Sequence, residues 1–288
     1  MSNLLSIASI VVCLIIATCI AFAGGKGSIL INGYSLFAFC GAIGFLIHWI
    51  IFIPSYFNQT EHYFDLTGSM SYLAVLGFAI FNKPEIDLRG LLLVSLVCIW
   101  AVRLGLFLFL RVKKKGKDNR FTVMKTKFCW YLFTWTMGGL WVLLTISPAL
   151  AAISSTTTAT LGWLGYLGLT LWVFGFSIEV IADSQKSSFN NKEENKHKFI
   201  DEGLWKLSRH PNYLGEILLW IGISLIALPV LKGWQLITLI SPIFVYILLT
   251  RISGIPLLDT RAEKKWDKDP SYQKYKENTP KLILKMKY

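Results

Sequence analysis

Charge is what this 288-residue sequence has least of: 16% of its residues are charged against 54% hydrophobic, too few to clothe a water-soluble globule of this length. Cysteine is sparse as well. The five, Cys13, Cys19, Cys40, Cys98 and Cys129, show no CxxC or CxxH spacing, so a disulfide scaffold and a cysteine metal site are not expected, and the thiols read as small buried hydrophobes. The nucleotide and hydrolase signatures GxGxxG, GxxxxGK[ST], HExxH and GxSxG are all missing, which removes a Rossmann domain, a P-loop, a zincin and a nucleophile elbow from consideration. Aromatic and aliphatic residues are plentiful instead. With 11 Trp, 19 Phe and a mean hydropathy of +0.52, the chain is built for lipid as its solvent.

Apolar runs near the length of a spanning helix occupy 4–23, 34–54, 88–110, 128–152, 161–181, 214–231 and 233–250, with a shorter run at 66–81. They predict an all-α polytopic membrane protein of seven or eight transmembrane helices, one integral domain over 1–288 with N-terminal helices in 1–110 and a C-terminal region at about 128–288. The first six residues carry no Lys or Arg, unlike a cleaved secretory signal, so the first run reads as a retained helix. Of 29 basic residues, eight fall in 111–127, six in 183–213 and ten from 251 onward. If the spans alternate, these three segments share one face, which the positive-inside rule makes cytoplasmic in a bacterial inner membrane or endoplasmic reticulum. The net charge of +12 is therefore topological, and neither a nucleic-acid nor a metal partner is expected. The run SSTTTAT at 154–160 reads as an external turn, and Gly162, Gly165 and Gly168 as a helix-packing stripe.

Four constellations concentrate polar chemistry at the predicted cytoplasmic mouth. The stretch 203–216 leads Arg209 and His210 into a helix opened by Pro211, with Asn212, Tyr213 and Glu216 on one face of its first turns; such an N-terminus favours anions, phosphate among them. Glu179, Asp183 and Lys186 fall at i, i+4 and i+7, one stripe suited to ribose hydroxyls, an amide or a phosphate, or to an internal ion-pair ladder. Arg103 lies about two turns inside an apolar run and needs a carboxylate such as Glu179 or an anionic ligand, whereas Arg111 is an interfacial anchor. In the loop 58–65, Glu61, His62 and Tyr63 offer a carboxylic acid, an imidazole and a phenol, and burial that raised the pKa of Glu61 would let it donate to a carbonyl. The same loop holds an Asn-Gln-Thr sequon. In the tail, Arg251 and Arg261 read as a nucleotide clamp and 281–287 as a headgroup contact, with Trp266, Tyr272 and Tyr275 among the basic residues.

Together these residues resemble the steroid 5α-reductase family, most specifically in GLWKLSRHPNYLGEILLWIG at 203–222, and further in E-x-x-A-D-x-Q-K from Glu179, S-G-I-P-L-L-D ending at Asp259, and W-x-x-R-L around Arg103. The first ~90 residues match only loosely. The resemblance implies a membrane reductase that binds NADPH at its cytoplasmic side and passes hydride to a hydrophobic enone such as a 3-oxo-Δ4 steroid. It assigns Arg209, His210, Asn212 and Asp183 to the cofactor, and it makes Gln59 and Glu61 the candidates beside the substrate carbonyl. Members of the family set Gln and Glu side by side; here Thr60 separates them. Hydride attack on an enone builds negative charge on that oxygen, so a neutral Glu61 or Tyr63 donating to it would favour the transition state. Two other readings stay open: R-H-P-x-Y-x-G also resembles isoprenylcysteine carboxyl methyltransferases, which use S-adenosylmethionine, and the chain could be a non-catalytic lipid- or sterol-binding membrane protein or transporter component, which would have no need of clustered Arg, His and carboxylates.

Overall fold

In a computed structural model of the chain, residues 1–116, 118 and 120–284 are described, the side chain of Lys115 excepted. Eight helical segments among them are long and apolar enough to cross a bilayer: α1 Asn3–Gly24, α2 Leu36–Phe57, α3 Phe64–Phe81, α4 Leu88–Lys115, α5 Phe128–Ser154, α6 Gly162–Asn191, α7 Pro211–Ala227, and an irregular eighth segment, Gly233–Trp266. The architecture is that of an all-α polytopic membrane protein, relieved among the described residues by one two-stranded hairpin, β1 Leu30–Ile31 with β2 Tyr34–Ser35. The short run at 66–81 is thus a complete helix. The run at 161–181 continues as helix to Asn191, because i→i−4 hydrogen bonding carries on through polar residues that hydropathy does not register. The eighth segment is built of a 3₁₀ stretch, Gly233–Ile240, then α8 Ser241–Ile247, a π turn Leu248–Ile252 and α9 Ile255–Trp266, and α10 Pro270–Asn278 follows it.

Local chemistry sets the ends of these helices. Ser2, Ser35 and Asp87 accept backbone N–H bonds from Leu5, Ala38 and Gly90 at the starts of α1, α2 and α4. At the end of α4 Gly116 takes φ +75°, the left-handed conformation that closes a helix without a Cβ penalty.

The chain divides into two compact units, residues 1–165 with 224–241, and residues 166–223 with 242–288. In the first, α5 is buried almost all round from Gly138 to Ser154, packed by α1, α2, α3 and α4. Several buried polar groups of this unit find partners. The Tyr72 hydroxyl meets Thr145, Trp49 Nε1 donates to Thr136, and the Arg89 guanidinium donates to the carbonyls of Ile226, Thr160 and Leu161. The run SSTTTAT is held as well: Ile29 N–H donates to Ser154 O and Thr156 N–H to Gly27 O. Of the cysteines, Cys13 and Cys40 are buried as expected, but Cys19 is exposed on α1.

The second unit rests on a glycine contact between α6 and α7. Gly168 and Gly175 lie seven residues apart on one helix, Gly215 and Gly222 seven apart on the other, and they meet in opposite order. A Cβ added at Gly175 would sit 2.6 Å from Gly215 O, one at Gly215 2.5 Å from Gly175 O, and one at Gly222 2.5 Å from Gly168 O. Two antiparallel backbones therefore touch over two turns. Of the glycine stripe read from sequence only Gly168 packs this way; Gly162 starts the helix at φ +58°, and Gly165 would meet only Leu161 of its own helix. Gly215→Ala should cost about 1–3 kcal/mol through overpacking. Gly77→Ala, with nothing within 4 Å of the new methyl, should be silent, and thermal unfolding in detergent compares the two.

Candidate functional site

The glycine contact brings the carboxylate stripe of α6 beside the start of α7. Glu179 is 2% and Asp183 7% exposed, and Asn212 Nδ2 donates to Asp183 Oδ1 at 3.3 Å. The N-terminus of α7 is prepared by Ser208, whose hydroxyl accepts from His210 N–H at 3.3 Å, and by Pro211 in the first helical position. Gln185 Oε1 accepts the Leu204 N–H at 3.0 Å, Trp205 Nε1 donates to Ala182 O at 3.0 Å, and the Lys186 ammonium lies 4.1 Å from the centre of the Trp205 ring. These contacts bind the turn before α7 to the last part of α6.

Arg209 and His210 are buried with much of their hydrogen-bonding capacity unused. The Arg209 side chain is 9% exposed; its Nε and Nη1 have no hydrogen-bond acceptor, and Nη1 is 4.0 Å from Asp259 Oδ1. His210 Nε2 is 3.5 Å from the same oxygen, its ring stacks on Tyr213 at 5.6 Å, and Asn212 Oδ1 has no donor. Asp259 also pairs with Lys281 at 3.2 Å. Burial holds the pKa of His210 below the ordinary imidazole value against the pull of Asp259, and Lys186 and Arg209 push the same way.

Asp259 is the central residue that the reading of the tail passed over. It lies two residues before Arg261, so the helix turns Arg261 some 200° away, and Arg261 is exposed, as is Arg251 in the π turn. Neither belongs to the buried cluster. Glu216 and Tyr213 are half-buried on the first turns of α7. The aromatics of the tail are also spoken for: Phe199 packs against Trp266, Tyr272 and Tyr275, Tyr275 donates to Trp205 O at 2.6 Å and Trp266 to His197 O at 2.9 Å. The segment after α10 lies on the turn before α7, with Arg209 N–H bonded to Pro280 O and Ser208 Oγ to Leu282 O. Lys285 and Lys287, read as headgroup contacts, lie outside the described residues.

The loop between α2 and α3, in the first unit, differs from expectation. Glu61 is 4% exposed and ion-paired: Lys125 Nζ is 2.6 Å from Oε2, and Asp118 N–H donates to Oε1 at 2.9 Å. Burial alone would raise its pKa, but the Lys125 and Asp118 bonds outweigh it and bring the carboxyl below its ordinary value. Glu61 is thus an acceptor within a structural ion pair, and the neutral donor expected there is corrected. Gln59 is exposed at φ +48°, its amide bonded to Tyr56 O. Beside this loop α2 and α3 enclose an apolar cleft of about 830 Å³, onto which Tyr63 and His62 open. The ring of Arg103's neighbour Phe107 carries its guanidinium at 5.2 Å on α4 of the same unit.

A family model described as a protein of unknown function (DUF1295) matches residues 51–279. No curated protein and no solved structure matches the chain.

Because His210 is held below its ordinary pKa, an unfolded chain takes up a proton that the folded one refuses. Stability should fall as pH drops below about 6.5, the ordinary imidazole value. Melting temperatures in detergent from pH 7.5 to 5.5 should decline less steeply in His210→Gln than in the wild type. Lys125→Met, which leaves buried Glu61 with one partner, should lower the melting temperature at pH 7, and Glu61→Gln in the same chain should restore part of it.

Proposed function

The chain belongs to the DUF1295 family, a family of membrane proteins related to the steroid 5α-reductases, and on that premise we propose that it is an NADPH-dependent reductase of the C=C bond of hydrophobic enones, with the Δ4 bond of a 3-oxo steroid as the representative substrate. The observation that carries the proposal is the buried, hydrogen-bond-deficient cluster of Arg209, His210 and Asn212 at the N-terminus of α7. Native interiors leave few polar atoms unpaired, and a group of them at a helix N-terminus is suited to an anionic ligand.

The donor set fits a dinucleotide phosphate. Arg209 and the first N–H groups of α7 suit phosphate oxygens, Asn212 Oδ1 suits an amide or hydroxyl donor, and Asp183 and Glu179 suit ribose hydroxyls. NADPH, when bound, supplies the hydride. His210, kept neutral by burial and backed by Asp259, holds Tyr213 by stacking and adds no charge of its own to the site. If the eight spans alternate, the connection after α4, this turn and the tail share one membrane face, and their basic residues support reading that face as cytoplasmic. S-adenosylmethionine carries no phosphate, so the free guanidinium edge of Arg209 favours the reductase over the methyltransferase reading.

Thermal unfolding of the detergent-purified chain with NADPH, NADH and S-adenosylmethionine added separately tests this. NADPH at a hundred times its Kd should stabilise by about 2.7 kcal/mol, and Arg209→Ala and Asn212→Ala should each remove most of that shift. A shift with S-adenosylmethionine alone would move the same residues into a methyltransferase. A chain that binds sterol but none of the three would be a lipid binder, and the reductase proposal would be wrong.

A further inference from the structure

One oxygen of Asp259 faces two side chains at the start of α7, and the other faces the last described segment of the chain. Oδ1 lies 3.5 Å from His210 Nε2 and 4.0 Å from Arg209 Nη1, and Oδ2 lies 3.2 Å from Lys281 Nζ. Among the described residues Asp259 is the one carboxylate within 4.0 Å of the Arg209 guanidinium. That gap is about 1 Å longer than a charge-assisted hydrogen bond, so the two groups are neighbours that have not closed on one another. Arg209 Nε and Nη1 accordingly stay buried without acceptors.

Lys281 reaches Asp259 from a short strap. After α10 the chain runs across the turn that opens α7: Arg209 N–H donates to Pro280 O at 2.9 Å, and Ser208 Oγ lies 3.0 Å from Leu282 O and 3.5 Å from Lys281 O. The same Ser208 oxygen accepts from His210 N–H, so one hydroxyl joins the strap to a residue that faces Asp259. Among the described residues, these bonds and the Lys281 ion pair are the polar attachments of 280–284. The Lys281 side chain is 60% exposed and that of Asp259 20%. An ion pair so accessible to water adds little to stability and exchanges readily. It can still decide a competition, because its carboxylate has an alternative partner in the unfilled guanidinium of Arg209.

We propose that Lys281 is a positioning residue for the anion site at the start of α7: with the strap docked it holds the Asp259 carboxylate and keeps Arg209 open to phosphate oxygens, and with the strap lifted Asp259 closes on Arg209 and shuts the site. Asp259 is in this sense an internal competitor of the ligand. A carboxylate and a phosphate offer the same charge and similar acceptor oxygens to a guanidinium, so pairing with Asp259 and binding of an anion exclude one another at that edge. Lys281 acts through the carboxylate and touches no ligand. The identity of the anion, a nucleotide carrying phosphate, rests on the reductase reading; the competition between Lys281 and Arg209 for Asp259 rests on the geometry of the strap.

Affinities of the full chain in detergent for NADPH and for inorganic pyrophosphate, each taken from the melting shift over a concentration series, test the assignment in wild type, Lys281→Met, Asp259→Asn and the double substitution. Lys281→Met should weaken both ligands about three- to tenfold, the scale of a partly solvated charge-assisted bond, and Lys281→Arg should retain wild-type affinity. Asp259→Asn should bind both at least as tightly as the wild type. In that background no carboxylate is left to close on Arg209, so adding Lys281→Met should change affinity by less than about twofold; the two substitutions are non-additive. Unchanged affinity in Lys281→Met would overturn the assignment. A loss of equal size with and without Asp259 would overturn it too, by making Lys281 a direct contact of the phosphate, and so would a chain that binds neither ligand. Pyrophosphate binding that depends on Lys281 only when Asp259 is present, without any NADPH shift, leaves the strap assignment standing and removes the reductase reading. NADPH binding indifferent to Lys281 does the reverse.

Discussion

The backbone contact between α6 and α7 governs what the second unit can do. Glycines at 168, 175, 215 and 222 line the crossing, so the helices approach until the backbone of one lies against the glycines of the other. Nothing larger fits. The consequence reaches beyond packing, because residues one turn past the contact on each helix are then held within side-chain reach. Asp183 and Asn212 meet for this reason, and the first turn of α7 opens beside two buried carboxylates.

Buried polarity is handled in two contrasting ways. In the first unit several of the charged and hydroxyl groups are matched to one another: Glu61 has Lys125 and a backbone amide, Arg89 donates to three carbonyls, and Tyr72 has Thr145. Such groups stabilise a fold and leave nothing for a ligand. Around α7 the atoms of Arg209, His210 and Asn212 are equally hidden from solvent yet keep unused donors and acceptors. Desolvating a guanidinium without completing its hydrogen bonds is costly, and the cost is understandable where a bound anion completes them.

Much of the architecture is legible in the sequence, since hydropathy reports directly on which segments lie in lipid. The third span, α3, was visible only as a short run, because Thr67, Ser69 and Ser71 dilute its apolarity; all three are buried inside the protein, where hydropathy has no meaning. The R-H-P-N turn was equally plain, being local in sequence. Asp259 was not: it stands 49 positions from His210, and no spacing rule links an α9 carboxylate to an α7 imidazole. Glu61 misled for a related reason. Its burial was foreseeable, but its partner Lys125 lies 64 residues away, and the partner rather than the burial decides its ionisation.

Composition and periodicity by themselves determined the solvent, the class of fold, the approximate spans and the turn that opens α7, because each depends on transfer free energies and backbone preferences carried by consecutive residues. Tertiary structure alone decided which carboxylate meets His210 and which charges are spent on one another. These are properties of pairs distant along the chain, and a hydrogen bond or ion pair exists only at the distance to which packing brings its two partners.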